Sequence, residues 1–301
     1  MVIDKTKLEN FRIFDGNIIK IMTCSNCNVK CKHCYISFKG NFKEYELYDL
    51  VTKYAKNYEI RINGTEPLLH KEFLKSIKKA GQTMILTNGL VFKDNYDYID
   101  ELKEYGIKTI GISYHFDEHD SISIIPKAYL DNLFNEILKR GMEVQIMTTI
   151  TSNNYKYIGN YCKYCYDKGI NKIRFTNFII QGNAKLMDKH LMLTDRQREE
   201  FFELLDKERK KYSIDVLRIE RCGTFGKNIK SYKKFACGAG VDSIVISPDH
   251  YAYPCIFLTK PGNEIGFYDK KSKKIYISNE FHNDDKDCLT FLTCNKGKKL
   301  F

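Results

Sequence analysis

The thiols come first. Residues 27–35 read CNVKCKHCY, which sets Cys27, Cys31 and Cys34 in the spacing C-x3-C-x2-C. Three thiolates so close can grip three corners of one iron–sulfur cube and leave the fourth iron without a protein ligand. An open coordination position marks a reactive metal centre, and a closed one marks a structural centre. Zinc, or a set whose fourth ligand lies elsewhere, suits the same spacing. A second group runs from Cys237 to Cys255 in CGAGVDSIVISPDHYAYPC, and Cys288 and Cys294 behind it could complete a four-thiolate site. Cys162 and Cys165 stand three apart on a predicted helix and read as packing, as does Cys24 beside the first group. Cys222, in IERCGTFG, stands apart from both groups.

Eleven cysteines in 301 residues, with no secretory signal at the amino terminus, disfavour a disulfide framework and favour metal binding. The opening MVIDKTKLENFRIFDGNIIK has no apolar run of signal-peptide length. No segment reaches the roughly 20 apolar residues of a membrane span. The expected location is therefore the cytoplasm, with no membrane partner. The net charge of +11 fits either a lysine-rich solvated surface or an anionic partner. Thiolate-bound iron–sulfur cores would offset part of it.

The elements that must position these residues alternate. Strand-like runs at 17–23, 58–63, 83–87, 108–114, 143–151 and 172–180 are separated by amphipathic stretches, two of them closed by a terminal glycine. Six β-then-α units predict an α/β fold with parallel strands, either a partial barrel or an open doubly wound sheet. Both put functional residues at the carboxyl ends of strands. A last helix is predicted over 193–212 with Thr194 as N-cap, acids early and bases late. The texture changes after about residue 215. The stretch 242–257 reads as two short strands around Pro248-Asp249-His250, followed by a short, irregular remainder. The expected domains are 1–215 and 216–301.

The strand-end motifs resemble those of the radical S-adenosylmethionine (radical SAM) superfamily. Cys27, Cys31 and Cys34 match its C-x3-C-x-aromatic-C signature, with His33 in the aromatic position. NGTEP (63–67) resembles the family's G-G-E-P with Thr65 for the second glycine, and LTNG (86–89), ISY (112–114) and GNA (182–184) follow in order. The resemblance covers roughly residues 15–215 and implies a partial (β/α)6 barrel, a [4Fe–4S] cluster and SAM chelating the open iron. It implies that Gly64, Thr65, Glu66 and Pro67 receive the SAM amino group, Glu66 and backbone carbonyls being acceptors. It places Ser113 against the carboxylate or ribose and the backbone near His33 against adenine. Asn88 is either a further contact or a turn residue beside Gly89. Arg174, on a strand, is expected to contact the SAM carboxylate or an acidic substrate. The stretch 113–120, SYHFDEHD, reads as a solvated loop.

The second cysteine group resembles the SPASM and Twitch auxiliary-cluster modules, in which a hairpin carries a cysteine at each end and a P-D-G-x-x-Y-P-C stretch. His250 stands where glycine is usual, which puts the turn geometry in question. The short tail favours one auxiliary [4Fe–4S] cluster, the Twitch arrangement, on Cys237, Cys255, Cys288 and Cys294. Cys222 is then an alternative ligand, a hydrogen-atom donor as in radical epimerases, or a structural thiol.

The function implied is reductive cleavage of SAM to a 5′-deoxyadenosyl radical, fed by a reductant such as flavodoxin or ferredoxin, and hydrogen abstraction from a substrate C–H. The substrate expected is a ribosomally made peptide, for crosslinking, epimerisation or thioether formation. With 26 residues before Cys27, a fused leader-recognition domain is not expected. The alternative is a radical SAM dehydrogenase acting on a small molecule such as a sugar or aminocyclitol. A nucleic-acid-binding zinc or iron–sulfur protein would leave the ordered strand-end motifs unexplained.

Overall fold

The computed structural model describes residues 3–226, 238–283, 288–295, 297 and 299–300. Twelve strands and eight α-helices form among them. In chain order the strands are β1 (Phe11–Ile13), β2 (Ile18–Met22), β3 (Glu59–Asn63), β4 (Met84–Thr87), β5 (Thr109–Ser113), β6 (Glu143–Ile150), β7 (Lys172–Asn177), β8 (Arg218–Arg221), β9 (Ser243–Ile246), β10 (Tyr251–Tyr253), β11 (Gly266–Asp269) and β12 (Lys274–Ser278). The helices are α1 (Glu44–Tyr54), α2 (Leu74–Lys79), α3 (Asp97–Glu104), α4 (His119–Ile122), α5 (Lys127–Lys139), α6 (Ile158–Asp167), α7 (Asp195–Lys211) and α8 (Leu289–Asn295). All six strands expected from the alternating pattern form, and the fold is α/β with parallel strands.

The chain forms two compact units, described in turn. The first comprises the described residues of Met1–Cys27, Ile36–Gln82 and Lys234–Phe301. Its seven-stranded sheet runs β1-β12-β11-β10-β9-β2-β3. β2 lies parallel to β3 on one side and to β9 on the other, Ile19 facing Ile60 and Ile244 in the two ladders. Ile19, Ile21, Ile244 and Ile246 are fully buried. Unpaired apolar strands of this kind have a strong drive to add to an existing sheet edge. The sequence-based boundary at residue 215 therefore does not follow the contacts: the tail hairpin extends the sheet that begins at β2. The tail beyond residue 257, expected to be irregular, supplies β11 and β12 as a second hairpin. His250 holds the turn before β10 at φ 63, the left-handed conformation that glycine adopts without strain, and its ring packs edge-on against Phe42.

The second unit comprises the described residues of Asn28–Tyr35 and Thr83–Lys233. Its sheet is β4-β5-β6-β7-β8, every pair parallel. β8, not anticipated from sequence, adds to β7 as a fifth strand. α5 shows why its helix forms: it starts after Pro126 and buries Leu130, Leu133, Phe134 and Ile137, one stripe at 3.6-residue spacing. α7 begins with the N-cap expected at Thr194, its hydroxyl accepting the Gln197 N–H, and Gln197 completes a capping box.

Burial along β7 alternates strictly, with Ile173, Phe175 and Asn177 buried and Lys172, Arg174 and Thr176 partly open. Phe175 meets Phe201 of α7, and the Arg221 guanidinium lies 4.6 Å from the Phe202 ring centre. One face of the sheet thus packs on α7, and the other is open and polar. No helix among the described residues is long and apolar enough to cross a membrane.

Candidate active site

In the first unit the chain leaves β2 through Thr23 and Cys24, both fully buried. The end of β3 is tied to them: Cys24 O accepts both the N–H and the hydroxyl of Thr65 at 3.0 Å. The Cys24 thiol points at Glu66 O, 3.7 Å away, and burial raises its pKa, which suits a packing thiol. Gly64 sits against this pair so closely that a Cβ there would come within 2.8 Å of Cys24 Sγ and Thr23 Oγ1. Glu66 is fully buried, and its Oε1 accepts the Leu68 N–H at 3.2 Å at the start of the turn led by Pro67. Gly64, Thr65, Glu66 and Pro67 therefore form one rigid β3 terminus fixed to the residues before Cys27. Cys27 itself is half-buried.

The second unit carries the rest of the cysteine loop. Cys31 and Cys34 are half-buried thiols. Their carbonyls are held from the turn after β7, Asn183 Nδ2 donating to Cys31 O at 3.1 Å and the Ala184 N–H to Cys34 O at 3.3 Å. The expected GNA segment thus clamps the cysteine loop. Asn88 takes the turn role expected beside Gly89 and adds a contact to the cysteine loop. Its Oδ1 accepts the Leu90 N–H in the turn where Gly89 has φ 85, and its Nδ2 donates to Asn28 Oδ1 of the cysteine loop at 2.8 Å.

His33 packs its ring edge-on against His115, centroids 4.5 Å apart, and His115 stacks on His119. His115 and His119 are buried, so the stretch read as a solvated loop turns its histidines inward. The Thr149 N–H donates to His115 Nδ1 and the His115 N–H to His119 Nδ1, each at 3.1 Å, which leaves each ring proton on Nε2. Such tautomers are donors and not metal ligands. Burial pushes His33 down to about 4, with His119 adding to the effect, and pushes His115 well below the ordinary imidazole range. The density of aromatic residues in SYHF was the signal for inward packing.

On the open face, strand register aligns Ser113 of β5 with Met147, Met147 with Arg174, and Arg174 with Glu220 of β8. Ser113 is exposed, and Arg174 and Glu220 are partly open. Cys222 follows β8 with extended backbone (φ −74, ψ 150), and its N–H donates to Phe175 O at 2.8 Å. The ladder therefore continues one residue past β8, and alternation puts Cys222 on the open face beside Thr176. Thr176 and Glu220 were not foreseen, although they share the parity of Arg174 and Cys222.

The second cysteine group belongs to the first unit. Cys255 follows β10, Cys288 precedes α8 and is buried, and Cys294 lies within α8. Burial pushes the Cys294 thiol up to about 11, Lys260 opposing and Cys255 adding to the shift, so Cys255 and Cys294 feel one another. Cys237 lies outside the described residues. Cys162 and Cys165 are fully buried on α6, and burial raises both thiols, which makes them packing groups.

Among the described residues no three His, Cys, Asp or Glu side chains converge on a single-ion site. A mononuclear metal needs every sulfur about 2.3 Å from one point. A cube gives each thiolate its own iron, and in the second unit the half-buried Cys31 and Cys34, on a loop held from the turn after β7, are suited in chemistry to two of them.

Residues 21–158 match the model of the Radical SAM superfamily. That region is similar to the radical SAM domain, whose members are enzymes that use a [4Fe–4S] cluster and SAM. The S-adenosylmethionine-dependent nucleotide dehydratase of Lacinutrix mariniflava is 34% identical over 155 residues, 43% of this chain and 32% of that protein. The GTP 3′,8-cyclase of Nautilia profundicola is 25% identical over 272 residues, 81% of this chain and 82% of that one. The crystal structure of Streptococcus suis SuiB bound to precursor peptide SuiA superposes with a TM-score of 0.65 at 15% identity, over 84% of this chain and 62% of that chain. Native anSMEcpe with bound AdoMet gives 0.63 at 16% identity, over 83% and 78%. The chain thus spans about a third of the nucleotide dehydratase and under two thirds of SuiB. The two solved structures share its fold, α/β with parallel strands.

Proposed function

We propose that the protein is a radical SAM enzyme that abstracts hydrogen from a C–H of a peptide and returns a hydrogen atom from Cys222, inverting the carbon. Cys27, Cys31 and Cys34 hold the cluster. Residues 64–67, with His33, Asn88, Ser113 and Arg174, hold SAM. When bound, these groups supply a 5′-deoxyadenosyl radical that removes one hydrogen atom and leaves as 5′-deoxyadenosine. The Cys222 S–H bond then breaks as the new C–H bond forms, and the sulfur regains one electron and one proton. The reductant supplies that electron, and Cys237, Cys255, Cys288 and Cys294 would hold an auxiliary [4Fe–4S] cluster able to supply one-electron transfer.

The observation that carries the reading is the position of Cys222: the carboxyl end of a parallel strand, on the open polar face, in the register row next to Ser113 and Arg174. Glu220 and Thr176 flank it with groups able to bond a peptide backbone. SuiB was solved with a peptide bound, so the fold admits one. The test is turnover in deuterium oxide with candidate peptides. The product should carry one deuterium at an inverted carbon. Cys222→Ala should keep forming 5′-deoxyadenosine while losing that product.

A second reading is favoured by the GTP 3′,8-cyclase alignment over 81% of the chain. With a net charge of +11, an anionic small molecule such as a nucleotide would then replace the peptide. Stimulation of 5′-deoxyadenosine formation by GTP, and not by peptides, would select it.

A further inference from the structure

The cysteine loop does more than carry ligands. Lys30 and Lys32 flank Cys31 on both sides, and both are exposed. Lys32 anchors the loop, its N–H donating to Ile122 O at 3.1 Å and its Nζ to Ser121 O at 2.8 Å. Beside the two lysines opens a cavity of about 510 Å³ with Ile122, Ile124, Ile125 and Pro126 along its wall. Ile124 is 65% exposed, a large apolar side chain left in water at the rim. The cavity also carries one exposed acid, Asp120, whose Oδ1 accepts the Lys127 N–H at the start of α5 at 2.7 Å. Lys30 and Lys32 against this one carboxylate leave the mouth net basic, with an apolar wall.

We infer that this face is the docking surface for the acidic one-electron carrier, a flavodoxin or ferredoxin, that reduces the cluster. The inference rests on the cluster assigned to Cys27, Cys31 and Cys34. Electron-transfer encounters are small and weak, and opposite charge steers and orients them. A carrier seated on Lys30 and Ile124 stands directly beside a cluster ligand. Its carboxylates meet Lys30, and its apolar contact area meets Ile124. No rearrangement is required, because Lys32 and the Ile122 carbonyl already fix the loop. The transfer is one electron from the reduced carrier to the oxidised cluster, with no bond made or broken.

The experiment compares two reductants on the reconstituted holoenzyme. With reduced flavodoxin as donor, Lys30→Glu and Lys30→Glu/Ile124→Ser should raise the flavodoxin concentration for half-maximal 5′-deoxyadenosine formation by about tenfold or more. Dithionite, a small donor that needs no docking surface, should drive both variants at the wild-type rate, with unchanged iron content. Raising the salt should weaken the wild type toward the variants, because screened charges steer less. Unaltered flavodoxin dependence overturns the inference. Equal loss with dithionite also overturns it, since the lysine would then serve the cofactor site. A changed requirement for peptide with an unchanged one for flavodoxin overturns it in favour of an acidic peptide on this face. Failure of the cluster assignment would read out separately, as wild-type protein that takes up no iron on this loop.

Discussion

Gly64 and Cys24 are in contact so tight that a Cβ on the glycine would lie 2.8 Å from the cysteine sulfur. The two residues join the ends of β3 and β2, and the chain reaches Cys27 three residues after Cys24. Gly64→Ala must push Cys24 or Thr23 aside in a buried spot. Overpacking of this kind costs about 1–3 kcal/mol, so the melting temperature should fall by several degrees and SAM affinity with it. Cys24→Ala should restore much of the loss in the double variant. Cys24→Ala alone should leave cluster iron intact, since that thiol packs and does not ligate.

Removing thiols of the second group tests the proposed auxiliary cluster. Cys255→Ala, Cys288→Ala or Cys294→Ala should lower iron from about eight to about four per chain, since each [4Fe–4S] cluster is held by its own thiolates. Reductive cleavage of SAM should survive. Iron and sulfide assays with 5′-deoxyadenosine quantification check both halves. Loss of all iron on any one substitution would refute the assignment of separate ligand sets.

Asp131 of α5 accepts hydrogen bonds from the Tyr114 hydroxyl at 2.6 Å, the Tyr164 hydroxyl, and Lys127 Nζ at 3.0 Å. Burial works to raise its pKa, but these three donors outweigh it and hold the carboxyl below its ordinary value. A depressed carboxylate contributes stability that is present above its unfolded pKa of about 3.9 and lost as pH falls through the lower folded value. Asp131→Asn should therefore cost about 1–3 kcal/mol at pH 7. The difference from wild type should shrink below about pH 4, as denaturant melts at several pH values would record.

His115 and His119 act at higher pH. Burial lowers both pKa values, so each stays neutral in the fold while the unfolded chain takes up protons below about pH 6.5. Their contribution is present above that pH and fades as pH drops toward the folded values. The melting temperature should decline between about pH 7 and pH 5. In His119→Asn the amide oxygen can still accept the His115 N–H and nothing titrates there, so the decline should be shallower. An equal slope in the variant would remove His119 from the account.

The sequence by itself determined the chemistry and most of the elements. Three thiols at fixed spacing define a loop that can bind one cube whatever surrounds it. Period-2 and period-3.6 patterning fixed β2 to β7 and their helices, because those periods follow from backbone geometry alone. Packing decided the rest, because it depends on which surfaces meet. β8 is four residues with one buried side chain, Ile219, too little pattern to read until β7 offers it a ladder. β9 reads as half of a hairpin but also pairs in parallel with β2, 225 residues earlier in the chain, a choice made by buried isoleucines and invisible to local pattern. His115 and His119 read as solvated because histidine is ambivalent, and only the Thr149 and His115 N–H groups supplied the partners that let them go inside. Strand register, finally, put Cys222 on the same face as Arg174 and Ser113 and one row along, because a ladder converts distant positions into neighbours that spacing along the chain cannot express.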